Sequence, residues 1–440
     1  MLTVGWRVFR RELVGVVRSS RRVSSVPHYI DGKEVASKCE NFTEVTNPAT
    51  GEILHRVPCA TDEEVDGAVR AAFDAAQDWK RTPQAQRSRI LFRLREEVAG
   101  SIEEIASIIT RELGKVPVDA RGDVLRGLEV LEYSCGVAAN LSGPTYLNMS
   151  VGLDAIQIRE PIGVCLGITP FNFPAMIPLW IFPMALACGN PIIMKPSEIA
   201  PSAMMKLASL ATTAGVPRGV LNVVHGGRET VTRLLSKQEI KAVSFVGSTS
   251  AGTEIYKTAT SLGIRAQCNL GAKNHGIVLP DCNRDLTIRS IVGAAFGASG
   301  QRCMALSTIV LVGDARNLLS ALREEAMNLR LGTSADSDVG PLVTRAARKR
   351  VELMIEKGIE EGASLILDGR GMKPSNSISG NWIGPTIFSK VHQTMTIYQE
   401  EIFGPVLIAI EVDTFKEAID LVNRNPYANG TCLFTSSAIS

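Results

Sequence analysis

From residue 162 onward, short apolar runs alternate with stretches whose apolar positions recur at helical spacing. The runs at 162–169, 191–194, 220–224 and 242–246 are too short for helices and predict strands. Between them, 174–187, 203–214 and 229–235 predict helices, the first opened by a proline. Such a βαβ rhythm requires a parallel sheet with helices on both faces, the doubly wound α/β class, which places ligands at the carboxyl ends of its strands. Upstream, 64–79 and 87–112 have the pattern of amphipathic helices able to cover that sheet. A second block, with a strand at 277–279, a helix at 286–299 and a strand at 308–312, predicts a second α/β domain joined through Gly271 to Lys273.

Composition narrows the class. A chain of 440 residues with 45% hydrophobic and 21% charged residues is an ordinary globular protein of two or three domains. The stretch 161–194 carries no charge and is long enough to span a bilayer, but its six prolines delete backbone donors that a spanning helix needs. Six of the arginines lie in residues 1–26 against one acid, Glu12, so a net charge of +2 leaves the remaining body mildly acidic. No basic stripe exists to neutralise a phosphate backbone, which argues against a nucleic-acid partner. That Arg-rich, Ser-containing, acid-poor start has the make-up of a mitochondrial transit peptide; a solvated basic arm is the alternative. The nine cysteines are scattered without a C-x-x-C pair, and the five histidines are equally dispersed, so neither a disulfide framework nor a metal site is expected.

The sharpest local feature is Gly300-Gln301-Arg302-Cys303-Met304. A cysteine beside an arginine can be held as a thiolate, although taken alone it reads as a small buried hydrophobe. Four other motifs follow predicted strands or lie downstream: Phe171-Asn172-Phe173-Pro174, Lys195-Pro196-Ser197-Glu198, Phe245-Val246-Gly247-Ser248 with Gly252, and Glu400-Glu401-Ile402-Phe403-Gly404-Pro405. Taken in order, with Asn47 to Glu52 and Gly340-Pro341, the set resembles the aldehyde dehydrogenase superfamily over everything after the presequence.

The resemblance implies a division into a transit peptide (1–26), an NAD-binding domain (27–141 and 165–272), an oligomerisation hairpin (142–164) and a catalytic domain (273–440). It implies Cys303 as the nucleophile, with the Asn172 amide and the Cys303 N–H as oxyanion donors; Asn172 capping the helix near Pro174 is the structural alternative. Phe171, Lys195, Glu198, Gly247, Ser248, Gly252, Glu401 and Phe403 are implied NAD-binding residues. A carboxylate at Glu198 would accept from ribose hydroxyls and repel a 2′-phosphate. Family members continue past 430–435 with a segment that completes the substrate cleft and an intersubunit sheet. A chain without it is expected to differ in tetramer assembly or activity.

Position 269 departs from the hydrolytic members. Where they carry a glutamate that activates water, this chain has Asn269, and an amide is no general base near neutrality. With Phe171 and the run GQRCMALS at 300–307, this resembles the coenzyme A-acylating methylmalonate-semialdehyde branch. That branch implies oxidation of malonate or methylmalonate semialdehyde, decarboxylation, and transfer to coenzyme A in valine and pyrimidine catabolism, within the mitochondrial matrix and as a homo-oligomer. Arg302 and Arg126 would hold the substrate carboxylate; for Arg126 a plain helix-face charge is the alternative. A hydrolytic aldehyde dehydrogenase and an inactive dinucleotide-binding form are the competing readings.

Overall fold

A computed structural model describes residues 23–375 and 379–437. Two parallel sheets organise them. The first has seven strands in the order Arg265–Asn269, Ile240–Val246, Val164–Ile168, Ile192–Lys195, Leu221–Val223, His28–Ile30 and Lys33–Val35, the last two antiparallel. Its crossovers are the helices Met176–Ala187, Ser202–Thr213, Arg228–Leu235 and Thr249–Ser261, the first three within a few residues of their sequence predictions. The chain runs outward from Val164–Ile168 in one direction, then returns to add Ile240–Val246 on its other side. That reversal opens a crevice at the carboxyl ends of these two strands.

The upstream helices do not form a single cover. Asp62–Trp79 lies on one face, where Val65, Ala68 and Ala72 share a core with Val164, Leu166 and Ile193. The predicted helix at 87–112 is two, Gln84–Gly100 and Ile102–Leu113, broken at Ser101. Together with Pro117–Gly136 they stack on the opposite side, outside Met176–Ala187 and Ser202–Thr213. Met176–Ala187 is apolar because it is sandwiched between sheet and helices, which accounts for the uncharged stretch without a membrane. Among the described residues no helix is long and apolar enough to cross one.

The second sheet has six strands, Ser364–Leu367, Thr386–Ser389, Val406–Val412, Leu306–Val312, Asn274–Val278 and Thr431–Phe434, of which only Ser364–Leu367 is antiparallel. The helix expected at 286–299 ends at Phe296; Ala298 and Ser299 are left-handed, with φ of +49° and +57°. A separate hairpin, Thr145–Ser150 with Leu153–Ile156, projects Leu147, Met149 and Val151 into solvent.

The presequence reading for residues 1–22 lies outside the described residues. At its far end, Ser24–Ser25 pairs with His55 and Arg56, and Val26 is buried with Val45, Leu54 and Val57. Edge pairing and an apolar anchor make those residues part of the fold.

The N-terminal strands are tied to the first sheet by a buried histidine pair. His225 N–H donates to His28 Nδ1 at 3.1 Å, His225 Nε2 donates to the Pro27 carbonyl at 3.0 Å, and His28 Nε2 lies 3.2 Å from Glu64. Burial first, then His28, pushes His225 down to about 3, and burial also lowers His28. The unfolded chain therefore takes up protons that the fold refuses, so stability is full above about pH 6.5 and falls as pH drops toward 3. The melting temperature of the wild type should fall more steeply between about pH 7 and pH 5 than that of His225→Gln. Equal slopes would place the acid lability elsewhere.

Candidate active site

Each sheet contributes a different end to the site. The first presents the carboxyl ends of its strands, where Thr169, Lys195, Glu198, Gly247 and Ser248 line a cleft of about 580 Å³. The second presents its amino ends, since Cys303 precedes Leu306–Val312, Phe403 precedes Val406–Val412 and Asn429 precedes Thr431–Phe434. The chain passes between the sheets at Leu270 to Lys273.

Within the cleft, Lys195 is buried and donates to the Gly226 carbonyl at 2.8 Å and to Glu198 at 3.4 Å. Burial lowers its ammonium pKa while Glu198 pulls it back. The Thr169 hydroxyl is buried without a partner, and no side chain caps the helix that starts after Ser248. The glycines of this motif serve packing: a Cβ at Gly252 would meet Leu270 at 2.0 Å, and one at Gly247 the Phe245 ring at 2.5 Å.

Cys303 sits at a small pocket with Arg302, Asn274, Ala272, Glu401 and Phe403. Its loop is strained, with Ala298, Ser299 and Gly300 all at positive φ. Such conformations cost on the order of 1 to 3 kcal/mol for each non-glycine residue and persist only where surroundings hold them. Here Asp119 accepts from Ala298 N–H at 2.8 Å, Ser299 donates to Gly340 O at 2.6 Å, and Gln301 Oε1 accepts from Val343 N–H at 3.1 Å. The Gly340-Pro341 motif is thus a brace for the cysteine loop. A Cβ at Gly300 would strike the Gly404 carbonyl at 2.1 Å, which locks this loop to the one bearing Glu401 and Phe403.

Asn172 reaches the same loop from the first sheet, donating to Gln301 O at 3.1 Å. Its orientation follows from that bond, because a flipped amide would set oxygen against oxygen. The second amide hydrogen is left for another acceptor, and the helix Met176–Ala187 has no side-chain cap of its own, so capping is not its role. Asp123 serves there instead, accepting from Met176 N–H at 2.8 Å while pairing with buried Lys115 at 2.9 Å. Lys115 in turn lies 3.9 Å from the Phe173 ring centroid. Phe171 meets Phe403 edge-on at 6.0 Å, joining the cleft to the cysteine pocket.

Arg302 does not hold Cys303 as a thiolate. Its guanidinium donates to Gly293 O and Ala294 O, at the end of the helix Arg284–Phe296, and leaves Nε buried and unpartnered. Burial raises the Cys303 thiol; the N–H groups of Cys303 and Met304 oppose this, Glu401 raises it further, and Arg302 is the weakest influence. Arg126 is not brought to the pocket: it is exposed and pairs with Glu129 at 2.9 Å. Glu401 accepts from Ala272 N–H at 3.2 Å, and burial raises its carboxyl. Asn269 ends its strand exposed, opposite Val246, and brings no carboxylate.

Four supporting residues escape a reading of the sequence. They are Lys115, Asp123, Asn274 and Lys273, the last donating to Ile397 O at 2.6 Å and Glu400 O at 2.7 Å. Burial pushes Lys273 down to about 7. Among the described residues no group of three or more His, Cys, Asp or Glu is placed to hold a metal ion.

Removing Asp123 would strand the Lys115 ammonium in the interior. Asp123→Ala should therefore cost about 3 to 5 kcal/mol in denaturant unfolding. A loss below about 1 kcal/mol would show that this pair does not hold the Asn172 loop.

A model of the aldehyde dehydrogenase family matches residues 35–439. The mitochondrial acylating methylmalonate-semialdehyde/malonate-semialdehyde dehydrogenase of Rattus norvegicus is 49% identical over 421 residues, covering 95% of this chain and 79% of the relative. Among solved structures, a methylmalonate-semialdehyde dehydrogenase from Oceanimonas doudoroffii superposes with a TM-score of 0.92 at 43% identity, covering 95% of this chain and 86% of that one. A Sinorhizobium meliloti protein solved in complex with NAD gives a TM-score of 0.93 at 40% identity, with the same coverage.

Proposed function

The chain belongs to the aldehyde dehydrogenase family, and on that premise we propose that it oxidises malonate and methylmalonate semialdehyde with NAD, through a thioester on Cys303 that is discharged by coenzyme A. The observation that carries this reading is the meeting of Cys303 and Glu401 at one pocket with Asn172 bonded to the adjoining Gln301 carbonyl, in a chain whose position 269 is an amide.

The cleft fits a dinucleotide. An uncapped helix start at Ser248 offers free N–H groups to a diphosphate, Thr169 has a hydroxyl to satisfy, and Glu198 can accept from ribose hydroxyls. Glu401 and Phe403, with Phe171 against Phe403, would hold the nicotinamide end. NAD bound there supplies the two-electron acceptor for the aldehyde C–H.

Cys303 Sγ adds to the carbonyl carbon, and the charge moves to oxygen. The free Asn172 amide hydrogen and the Cys303 N–H receive that oxyanion; one such donor typically contributes about 2.7 to 4 kcal/mol. Oxidation leaves a malonyl-type thioester whose β-carboxylate departs as carbon dioxide. Its electron pair passes to the α-carbon, is delocalised into the thioester carbonyl, and takes a proton. The coenzyme A thiolate then attacks the acyl carbon and expels the Cys303 thiolate. Asn269 cannot deprotonate water, so hydrolysis does not compete.

For the substrate carboxylate, Arg302 offers its unpartnered Nε. Arg126 would have to leave Glu129, an exposed pair worth about 0 to 1 kcal/mol, and also move to the pocket. The reading places the protein in the mitochondrial matrix, as the name of its rat relative has it mitochondrial. It also makes the apolar hairpin Thr145–Ser150 and Leu153–Ile156 a contact between copies in a homo-oligomer.

Cys303→Ala should abolish NADH formation while NAD still binds, because the thiol lies outside the nucleotide cleft. Retained turnover would place the nucleophile elsewhere. Without coenzyme A the wild type should give a burst of about one NADH per active site followed by slow turnover, and Asn269→Glu should speed the slow phase by up to about 10² to 10⁴-fold. Fast release of free acid by the wild type without coenzyme A would refute the acylating assignment.

A further inference from the structure

The carbonyl of the nucleophile is gripped from two sides. Asn274 Nδ2 donates to Cys303 O at 2.8 Å and to Ala305 O at 2.8 Å, and Asn429 Nδ2 donates to the same Cys303 O at 2.9 Å. Asn274 is itself fixed, since its Oδ1 accepts from Gly430 N–H at 2.9 Å. Two neutral amides converging on one carbonyl exceed what holding a turn requires.

Asn429 adds a second, independent sign. It has a φ of +125°, a region that suits glycine and strains any other residue. Its side chain is what glycine would lack, and the contact that side chain makes is with the nucleophile.

We propose that Asn274 and Asn429 are positioning residues that arm Cys303 by fixing the 303–304 peptide so that the Met304 N–H faces the sulfur. In a trans peptide the carbonyl and N–H point in opposite directions, so anchoring Cys303 O on one side directs Met304 N–H to the other. The Met304 N–H does act on Cys303, favouring its thiolate, as does the Cys303 N–H. The charged groups facing the sulfur are Glu401, which disfavours the thiolate, and Arg302, whose influence is the smallest. The Glu401 carboxylate accepts from Ala272 N–H, and the charges of Arg350 and Lys273 favour its ionised form against burial. With no carboxylate at position 269 to take the thiol proton, peptide dipoles carry much of the ionisation. The inference rests on reading Cys303 as the nucleophile, but its test reads the thiol directly and is independent of turnover.

The experiment measures iodoacetamide alkylation of the Cys303 peptide against pH, by mass spectrometry, in the full chain. Asn429→Gly deletes the amide and relieves the backbone, so its melting temperature should equal or exceed that of the wild type. Its alkylation midpoint should nevertheless rise by about half to one pH unit, a three- to tenfold smaller thiolate fraction at a given pH below it. Asn429→Asp, which cannot donate, and Asn274→Ala should shift the midpoint in the same direction. An unchanged midpoint in Asn429→Gly overturns the proposal, whether or not turnover falls, because a purely structural role predicts just that. Failure of the nucleophile assignment would show differently, as NADH formation by Cys303→Ala with the Asn429→Gly shift intact.

Discussion

The site depends on keeping a backbone in a conformation it would not adopt alone. Ala298, Ser299 and Gly300 run left-handed immediately before the nucleophile, and nearly every polar group around them is spent on main-chain atoms of that loop or its neighbour. Asp119, Ser299, Gln301, Asn172, Asn274 and Asn429 each end on a peptide N–H or carbonyl. The reactive geometry is therefore a property of peptide planes held by amides and carboxylates, and only secondarily of side-chain charge.

This explains how much could be read from the chain beforehand. The βαβ rhythm placed most strands and helices of the first sheet within a few residues, because its period is written locally in apolar positions. Of the motif residues, Cys303, Glu401 and Phe403 share one pocket and Lys195, Glu198, Gly247 and Ser248 line a cleft, with Phe171 against Phe403 and Asn172 bonded to the cysteine loop. What escaped was of another kind. Asn429 meets Cys303 across 126 positions and Lys273 meets Ile397 across 124. An asparagine that clamps a carbonyl and one that faces water have the same local pattern. Nor do Ala298 and Ser299 announce a left-handed turn, so a helix was expected to run through them.

Charge was the least readable quantity. Proximity along the chain suggested that Arg302 stabilises the thiolate, whereas its guanidinium turns back to cap a helix. Gly297 makes this possible, since a Cβ there would lie 2.6 Å from the guanidinium. Arg302 thus joins the end of one helix to the start of the nucleophile loop, and its value lies in tethering as much as in charge.

The bonds from Asn429 and Gly430 come from the turn that leads into Thr431–Phe434, the strand added beside Asn274–Val278. During synthesis Asn274 and the cysteine leave the ribosome long before Asn429 does. Until Thr431–Phe434 docks beside Asn274–Val278, Asn429 cannot reach the Cys303 carbonyl. The second amide on the nucleophile's carbonyl is thus supplied only once 126 further residues have followed the cysteine.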